Sequence, residues 1–273
     1  MKFIYDHDLH IHTQYSGCSD NPEQNAERIL QYARDNKLHT VCLADHFWDE
    51  KIDVERPPCY YIHSFTNLCQ SLPLPKADDV KMLFGCETEL DKTLTLGITK
   101  ERQDFFDFIV IPTTHCHFTG FTMTEEDRNA APQRKAQLWV ERLSAVLDMD
   151  LPFHKIGIAH LLCGFLAGRN ASHESYVETV KNLPKLEMER LFKKAAKLGV
   201  GIELNQGDVN LFTGEKDDIF ILPFQIAKEC GCKFYFGSDA HNPVDFETAP
   251  PRFEKAIDML GLEEKDKFIL RDK

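Results

Sequence analysis

Short apolar runs, each with an ionisable or amide side chain at or near its C-terminal end and separated by helical periodicity, constrain this sequence more than any other feature. The runs are DLHIHT (8–13), HTVCLADH (39–46), KMLFGCETEL (81–90), FDFIVIPTTH (106–115), KIGIAHL (155–161), GVGIELN (199–205) and CKFYFGSDAH (232–241). Strands that alternate with helices pair in parallel, because a parallel neighbour needs a crossover connection. Seven such units favour a closed or nearly closed barrel over an open doubly wound sheet. No GxGxxG or GxxxxGK(S/T) fingerprint supports the open, nucleotide-binding alternative. The expected fold class is α/β, a distorted seven-stranded (β/α)7 TIM-like barrel, in a single domain over residues 1–273.

Helices are expected at about 133–149, 185–198, 219–230 and 247–261. An earlier helix takes Asn21 as N-cap and Pro22 as its first residue, with Ala26, Ile29, Leu30 and Ala33 on its apolar face. Gly199-Val200-Gly201 reads as a helix stop running into a strand. Residues 47–79 carry Pro57-Pro58, Tyr60-Tyr61 and Pro73-Leu74-Pro75, and are expected to form a loop-rich excursion over one barrel face.

Composition narrows the function classes. A hydrophobic content of 42% and a charged content of 28% are ordinary for a globular protein. No apolar run approaches the ~18 residues that cross a bilayer, and MKFIYDHDLH lacks the features of a signal peptide. A cytoplasmic setting without membrane partners is therefore expected. The nine cysteines include no CxxC pair, which favours reduced thiols over a disulfide framework. A net charge of −12 argues against a nucleic-acid groove but not against an anionic substrate, since bound cations dominate a local field. Nothing in the pattern sets an oligomeric state.

Side chains at i and i+2 of a strand share a face, so His10 and His12 converge with Asp8 behind them. The same parity recurs at Glu87/Glu89, His115/His117, Glu203/Asn205 and Asp239/His241, while His46 and His160 end their own strands. A barrel gathers its strand ends onto one rim. Unpaired, that many buried ionisable groups would be costly, and divalent cations satisfy them. Mixed imidazole–carboxylate donors suit Zn, Mn or Fe, so a site for two or three such ions is expected. Asp8 is expected to orient a ligating imidazole. His7, His39, His63, His154 and His173 read as surface or locally bonded groups, and Lys193, Lys194 and Lys197 as a solvated helix face. Phe47, Trp48, Tyr60 and Tyr61 are candidates for the mouth of a pocket.

Taken in order, DLHIHT, LADH, GCETEL, the DFIVIPTTH strand, IAH and GSDAH resemble the PHP (polymerase and histidinol phosphatase) family across essentially the whole chain. The resemblance implies a metal-dependent phosphoesterase. It makes His10, His12, Glu87 and Asp239 ligands of a first metal, with Glu87 bridging to a second completed by His115 and His160. His46 and His241 resemble ligands of a third. The remaining position, usually His or Asp in the family, is Cys18 here; a thiolate binds Zn well, and Asp20 is the alternative. Catalysis is then assigned to Asp239, His241, Glu87 and His117, with Asp45 as another candidate acid.

The length and the YSGCSDNPE segment look most like the histidinol-phosphatase branch, which implies a small phosphomonoester such as histidinol phosphate and a place in histidine biosynthesis. Arg169, then Arg252 and Arg56, are candidate phosphate contacts. Asp49, Glu50 and Asp53, or Glu125, Glu126 and Asp127, are candidates to meet a cationic substrate. Phosphodiester or nucleotide hydrolysis, amidohydrolase chemistry on the same barrel, and a degenerate metal-binding module are the alternatives.

Overall fold

A computed structural model describes residues 1–270. All seven apolar runs carry strand: β1 (His7–Ile11), β2 (Thr40–Leu43), β3 (Lys81–Phe84), β4 (Cys86–Glu87), β5 (Ile109–Pro112), β6 (Ile156–Ala159), β7 (Gly201–Asn205) and β8 (Lys233–Gly237). Every ladder between them is parallel. β1, β5, β6 and β7 are buried at every position. Burial on both faces is why they read as near-continuous apolar runs.

The strands hydrogen-bond as two sheets, β1-β2-β3 and β4-β5-β6-β7-β8, not as one sheet of seven. Gly85 is the cause. A Cβ there would lie 2.6 Å from both Cys42 Sγ and the Phe108 carbonyl, so the backbone passes too tightly for any other residue. β3 pairs with β2, and β4, one residue later, pairs with β5. The third expected strand is thus split, and the expected single sheet becomes sheets of three and five within a parallel α/β fold. One parallel bridge crosses each seam between the sheets, at His46–Glu87 and at Ile11–Ala240. At the second seam the Asp239 N–H donates to the His10 carbonyl at 2.7 Å and the His12 N–H to the Ala240 carbonyl at 3.1 Å. Candidate ligands stand at both seams.

Between the strands, Leu9, Leu83, Phe108, Val110 and Tyr235 pack with Phe268 in one cluster. A larger apolar cluster fills the space between strands and helices. Ionisable groups are thereby left to the strand ends. Helices Pro132–Asp148, Lys185–Leu198, Leu222–Glu229 and Asp245–Leu260 fall where periodicity places them, and Gly199 ends the second at φ +76°. The first helix, Ala26–Asp35, is capped by Asn25, whose side chain accepts from the Arg28 N–H. Asn21 instead accepts from the Glu23 N–H in the preceding turn, so the Asn21-Pro22 cap is corrected to Asn25. A helix at His173–Lys181 was not expected; its sequence HESYVETVK buries only Tyr176, Thr179 and Val180. Residues 47–79 hold only short helical turns, as expected.

One helix side chain reaches inward to shape the rim. Arg142, 2% exposed, donates to the carbonyls of Thr113 (2.7 Å), Leu90 (3.0 Å) and Thr122 (3.1 Å). Charge-assisted bonds of this kind are roughly twice as strong as neutral ones. They fix the loops that follow β4 and β5, and so the backbone that leads to His115.

Candidate metal centre

The rim builds around Glu87, which is 1% exposed. Its oxygens lie 3.6 Å from His10 Nε2, 3.5 Å from His12 Nε2, 2.9 Å from His46 Nδ1 and 3.4 Å from His160 Nε2. Neither oxygen accepts a hydrogen bond of acceptable geometry. A buried carboxylate ringed by four imidazoles yet hydrogen-bonded to none is a group waiting for a different partner. Asp239 faces the same ring, 3.0 Å from His12 Nε2, 3.6 Å from His10 Nε2 and 3.5 Å from His160 Nε2.

Backbone strain marks the same place. His160 and Asp239 adopt positive φ, 53° and 54°, two of four non-glycine residues that do so among those described. Left-handed backbone costs about 1–3 kcal/mol and concentrates where function over-determines it. Here it aims two side chains back over the strand ends.

Donor atoms gather in groups in which all members lie within 4.8 Å of one another: His10–His12–Glu87, His10–His160–Asp239, His12–Cys18–His46–His241, Glu89–His115–His117 and His115–His160–Cys163. Each of the nine expected metal ligands falls in at least one. Cys18 falls in one and Asp20 in none. Burial would raise the Cys18 thiol, but His46 and His241 outweigh it and bring the pKa to about 6, which suits a metal-binding thiolate.

Electrostatics fit cation binding. Burial holds His12 well below its ordinary value, as a neutral imidazole, and His241 adds to this. The carboxyls of Glu87 and Asp239 are likewise penalised by burial, but His46 and His10 at Glu87, and His160 and His10 at Asp239, hold both well below the usual range. Burial would lower His10, His46, His160 and His241 too, but the acids that face them raise all four instead, so ions binding there would displace protons. The carboxylates, the Cys18 thiolate and His12 already hold the states that metals require. The orphaned oxygens of Glu87 supply the place for an ion, so the donor set fits a multinuclear N/O/S site.

The orienting groups differ from those expected. Asp8 touches no imidazole: it accepts from the Ser238 N–H (3.0 Å) and Tyr32 Oη (3.0 Å), joining β1 to β8. Glu203 does the orienting. Its Oε1 lies 2.6 Å from His10 Nδ1, and its Oε2 accepts from the His160 N–H at 3.0 Å. A Cβ on Gly237 would overlap this carboxylate, so the bare glycine of β8 makes the room. Glu89 plays the same part for His115, at 3.0 Å from its Nδ1, and accepts from Tyr60 Oη. Ser16 Oγ sits 3.0 Å from His12 Nδ1.

A cleft of about 580 Å³ opens above this cluster, walled by Tyr60, His63, His117, Phe118, Phe165 and Arg169 together with the expected ligands other than His10 and His12. His63, read from sequence as bland, is 7% exposed and stacks on His46 with ring centroids 5.1 Å apart. Cys163, one turn past His160, also went unsuspected. The spacing of Cys163 was legible, whereas His63 sits in an irregular stretch with no periodic signal. His117 stacks on Phe165, and its Nδ1 is unpartnered. Among the candidate phosphate contacts only Arg169 lines the cleft; Arg252 lies on the helix Asp245–Leu260, and Arg56 lies over Tyr61. Asp45 accepts from Thr13 N–H and Oγ1, at 2.6 and 2.7 Å, and is not a cleft wall. None of the acidic loop residues lines the cleft either: Asp49 accepts from Thr99 Oγ1 and Asp127 pairs with Arg134. Of the four candidate mouth aromatics, Tyr60 alone lines it.

Comparison with known proteins places this arrangement. The fold resembles the crystal structure of histidinol phosphate phosphatase (HISK) from Lactococcus lactis subsp. lactis Il1403 complexed with zinc, L-histidinol and phosphate. That match has a TM-score of 0.56 and 16% identity, over 92% of this chain and 93% of that one. It also resembles the putative histidinol phosphatase hisK of Listeria monocytogenes, with a TM-score of 0.58 and 14% identity, over 88% of this chain and 96% of that one. No curated protein matches the sequence. The PHP domain, by contrast, matches residues 8–207, most of the chain and seven of the nine expected ligands, with Asp239 and His241 beyond it. This chain belongs to the PHP domain family.

Proposed function

We propose that this protein is a metal-dependent phosphoesterase acting on a small phosphomonoester, on a rim formed by two sheets that act as one distorted barrel. The observation that carries the reading is the Glu87 carboxylate, buried, without a hydrogen bond and faced by four imidazoles. His10, His12, Glu87 and Asp239 would hold one ion, Glu87, His115 and His160 a second, and Cys18, His46 and His241, beside His12, a third. Zn, Mn and Fe all accept such donors. The chemistry such ions supply is Lewis-acid stabilisation of phosphoryl charge and a lowered pKa for coordinated water.

The chain's own groups do the rest. Glu203 and Glu89 hold the His10 and His115 rings in fixed tautomers, so that the opposite nitrogens face the site. Arg169 presents a guanidinium fork to phosphoryl oxygens. His117 lines the cleft and would hydrogen-bond the leaving oxygen. Phe118, Phe165 and Tyr60 keep bulk water from the remaining wall. The nine unpaired cysteines agree with a reducing, cytoplasmic setting, and no helix among the described residues is long and apolar enough to cross a membrane.

Because two structural neighbours carry the name, histidinol phosphate is the first monoester to assay. After loading with Zn, Mn or Fe, a panel of phosphomonoesters, a phosphodiester and an amide is expected to show monoester turnover above the other two. Stoichiometric metal with no phosphoester turnover, or with the amide cleaved instead, would overturn the reading.

A further inference from the structure

Beside the metal-centre cleft lies a second, of about 470 Å³; His117 and Arg169 line both, so the two share a wall. Arg128, Lys135 and Arg169 line the second cleft, and no Asp or Glu does. The chain as a whole carries 44 acidic residues against 32 Lys and Arg, so a wall whose charged residues are all cations runs against its balance. None of the three has a carboxylate within ion-pair distance among the described residues, and Asp127 acts on Lys135 only from beyond contact. Lys135 is 3% exposed, and its ammonium donates to the Arg128 carbonyl at 3.2 Å and approaches Met123 Sδ at 3.3 Å. Arg169 lies over the Phe118 ring, 5.5 Å from its centroid. The acid nearest in sequence, Asp127, is taken by Arg134 at 2.8 Å.

A buried ammonium with no carboxylate in contact is costly, and a concave wall that adds two guanidinium groups concentrates positive potential. Both costs fall when an anion enters, and guanidinium forks recognise phosphate and carboxylate alike. Conversely, the loop acids that a cationic substrate would need (Asp49, Glu50, Asp53, Glu125, Glu126, Asp127) line neither cleft.

We propose that the substrate carries a second anionic group, a phosphate or a carboxylate, which Arg128 and Lys135 hold in this side cleft while the scissile phosphate lies at the metal centre, with Arg169 between them. The proposal rests on the phosphoesterase reading and narrows its substrate class. Histidinol phosphate, whose remaining groups are an amine and an imidazole, would then be a poor substrate.

The test compares wild type with Arg128→Gln, an exposed side chain whose loss leaves the core intact. Metal-loaded enzyme is assayed on phenyl phosphate, on histidinol phosphate, on a series of α,ω-alkanediol bisphosphates and on phosphorylated hydroxy acids. The last two arms separate a phosphate from a carboxylate. Wild type is expected to show its highest kcat/KM on a substrate with a second anion. Arg128→Gln is expected to lower that value about tenfold, chiefly through KM, and to leave phenyl phosphate unchanged. An equal effect on all substrates, or none, would overturn the proposal, as would a wild-type preference for phenyl or histidinol phosphate. If wild type turns over no phosphoester, the phosphoesterase reading fails by itself and calorimetric titration with the bisphosphates decides the rest. Binding weakened about tenfold by Arg128→Gln upholds the side cleft, and equal binding to both proteins removes it.

Discussion

The two ends of the strands use the same side chains to opposite effect. At the start of β1, His7 Nδ1 bonds Asp6 at 2.8 Å while its Nε2 accepts from the Phe236 N–H at 3.2 Å. Lys267 Nζ completes the group, 2.8 Å from the other Asp6 oxygen. Every atom of that imidazole–carboxylate pair has a partner. At the far ends of the same strands, Glu87 is more deeply buried, meets four imidazoles and is hydrogen-bonded by none. The difference teaches how to tell a structural histidine–carboxylate pair from a functional one: count what remains unsatisfied once the protein has made its own bonds.

Glu87→Gln tests that contrast most severely. It keeps the shape but removes the charge, and is expected to cost more than about a hundred-fold in activity and in bound metal, beyond the usual cost of losing an outer carboxylate. Steady-state rates and elemental analysis measure both. Next comes Glu203→Gln, which loosens the His10 ring and the His160 backbone without touching Glu87. A loss of about 10–100-fold in metal affinity is expected, and excess metal should restore much of the rate. A rate that excess metal leaves depressed would instead mark Glu203 as acting on the substrate.

At the opposite end, Asp6→Asn should leave activity unchanged and cost about 1–2 kcal/mol at neutral pH. Burial alone would raise the Asp6 carboxyl, but hydrogen bonds from His7 and Lys267 bring it down to about 2. A depressed pKa gives stability that is complete above the unfolded value, near 4. Its loss begins as pH drops below that value and is complete below about 2. Urea unfolding of both proteins at neutral and acid pH should show the gap close on acidification. The smallest effect belongs to Cys18→Ser, at the exposed edge of the rim: less than about tenfold in rate, with Zn preference giving way to Mn. Rates after loading with each metal read this directly.

Much of the rim was legible because strand parity is local. HxH puts two side chains on one face, and the polar residues that close the apolar runs told which end of the strands carries the site, although Asp239 reaches it through left-handed backbone past β8 rather than through parity. Partnerships made between distant strands were not legible. Asp8 shares a parity with His10 and was the natural choice to orient it, yet it turns to Ser238 of the neighbouring strand end, while Glu203, nearly two hundred residues away, takes the ring. The choice was decided by Gly237, whose missing side chain leaves space that only the assembled sheets reveal. The split at Gly85 was hidden similarly, since Cys42 and Phe108 flank it only after β2 and β5 are in place. His63 gave no signal, lying in an aperiodic loop that reaches the rim through tertiary packing.

Anomalous scattering from crystals soaked with zinc or manganese tests the central claim most directly. The account predicts peaks within coordinating distance of Glu87, one shared with His10, His12 and Asp239 and one with His115 and His160. A map without a peak at Glu87, with the imidazoles bonded to the carboxylate in its place, would contradict it.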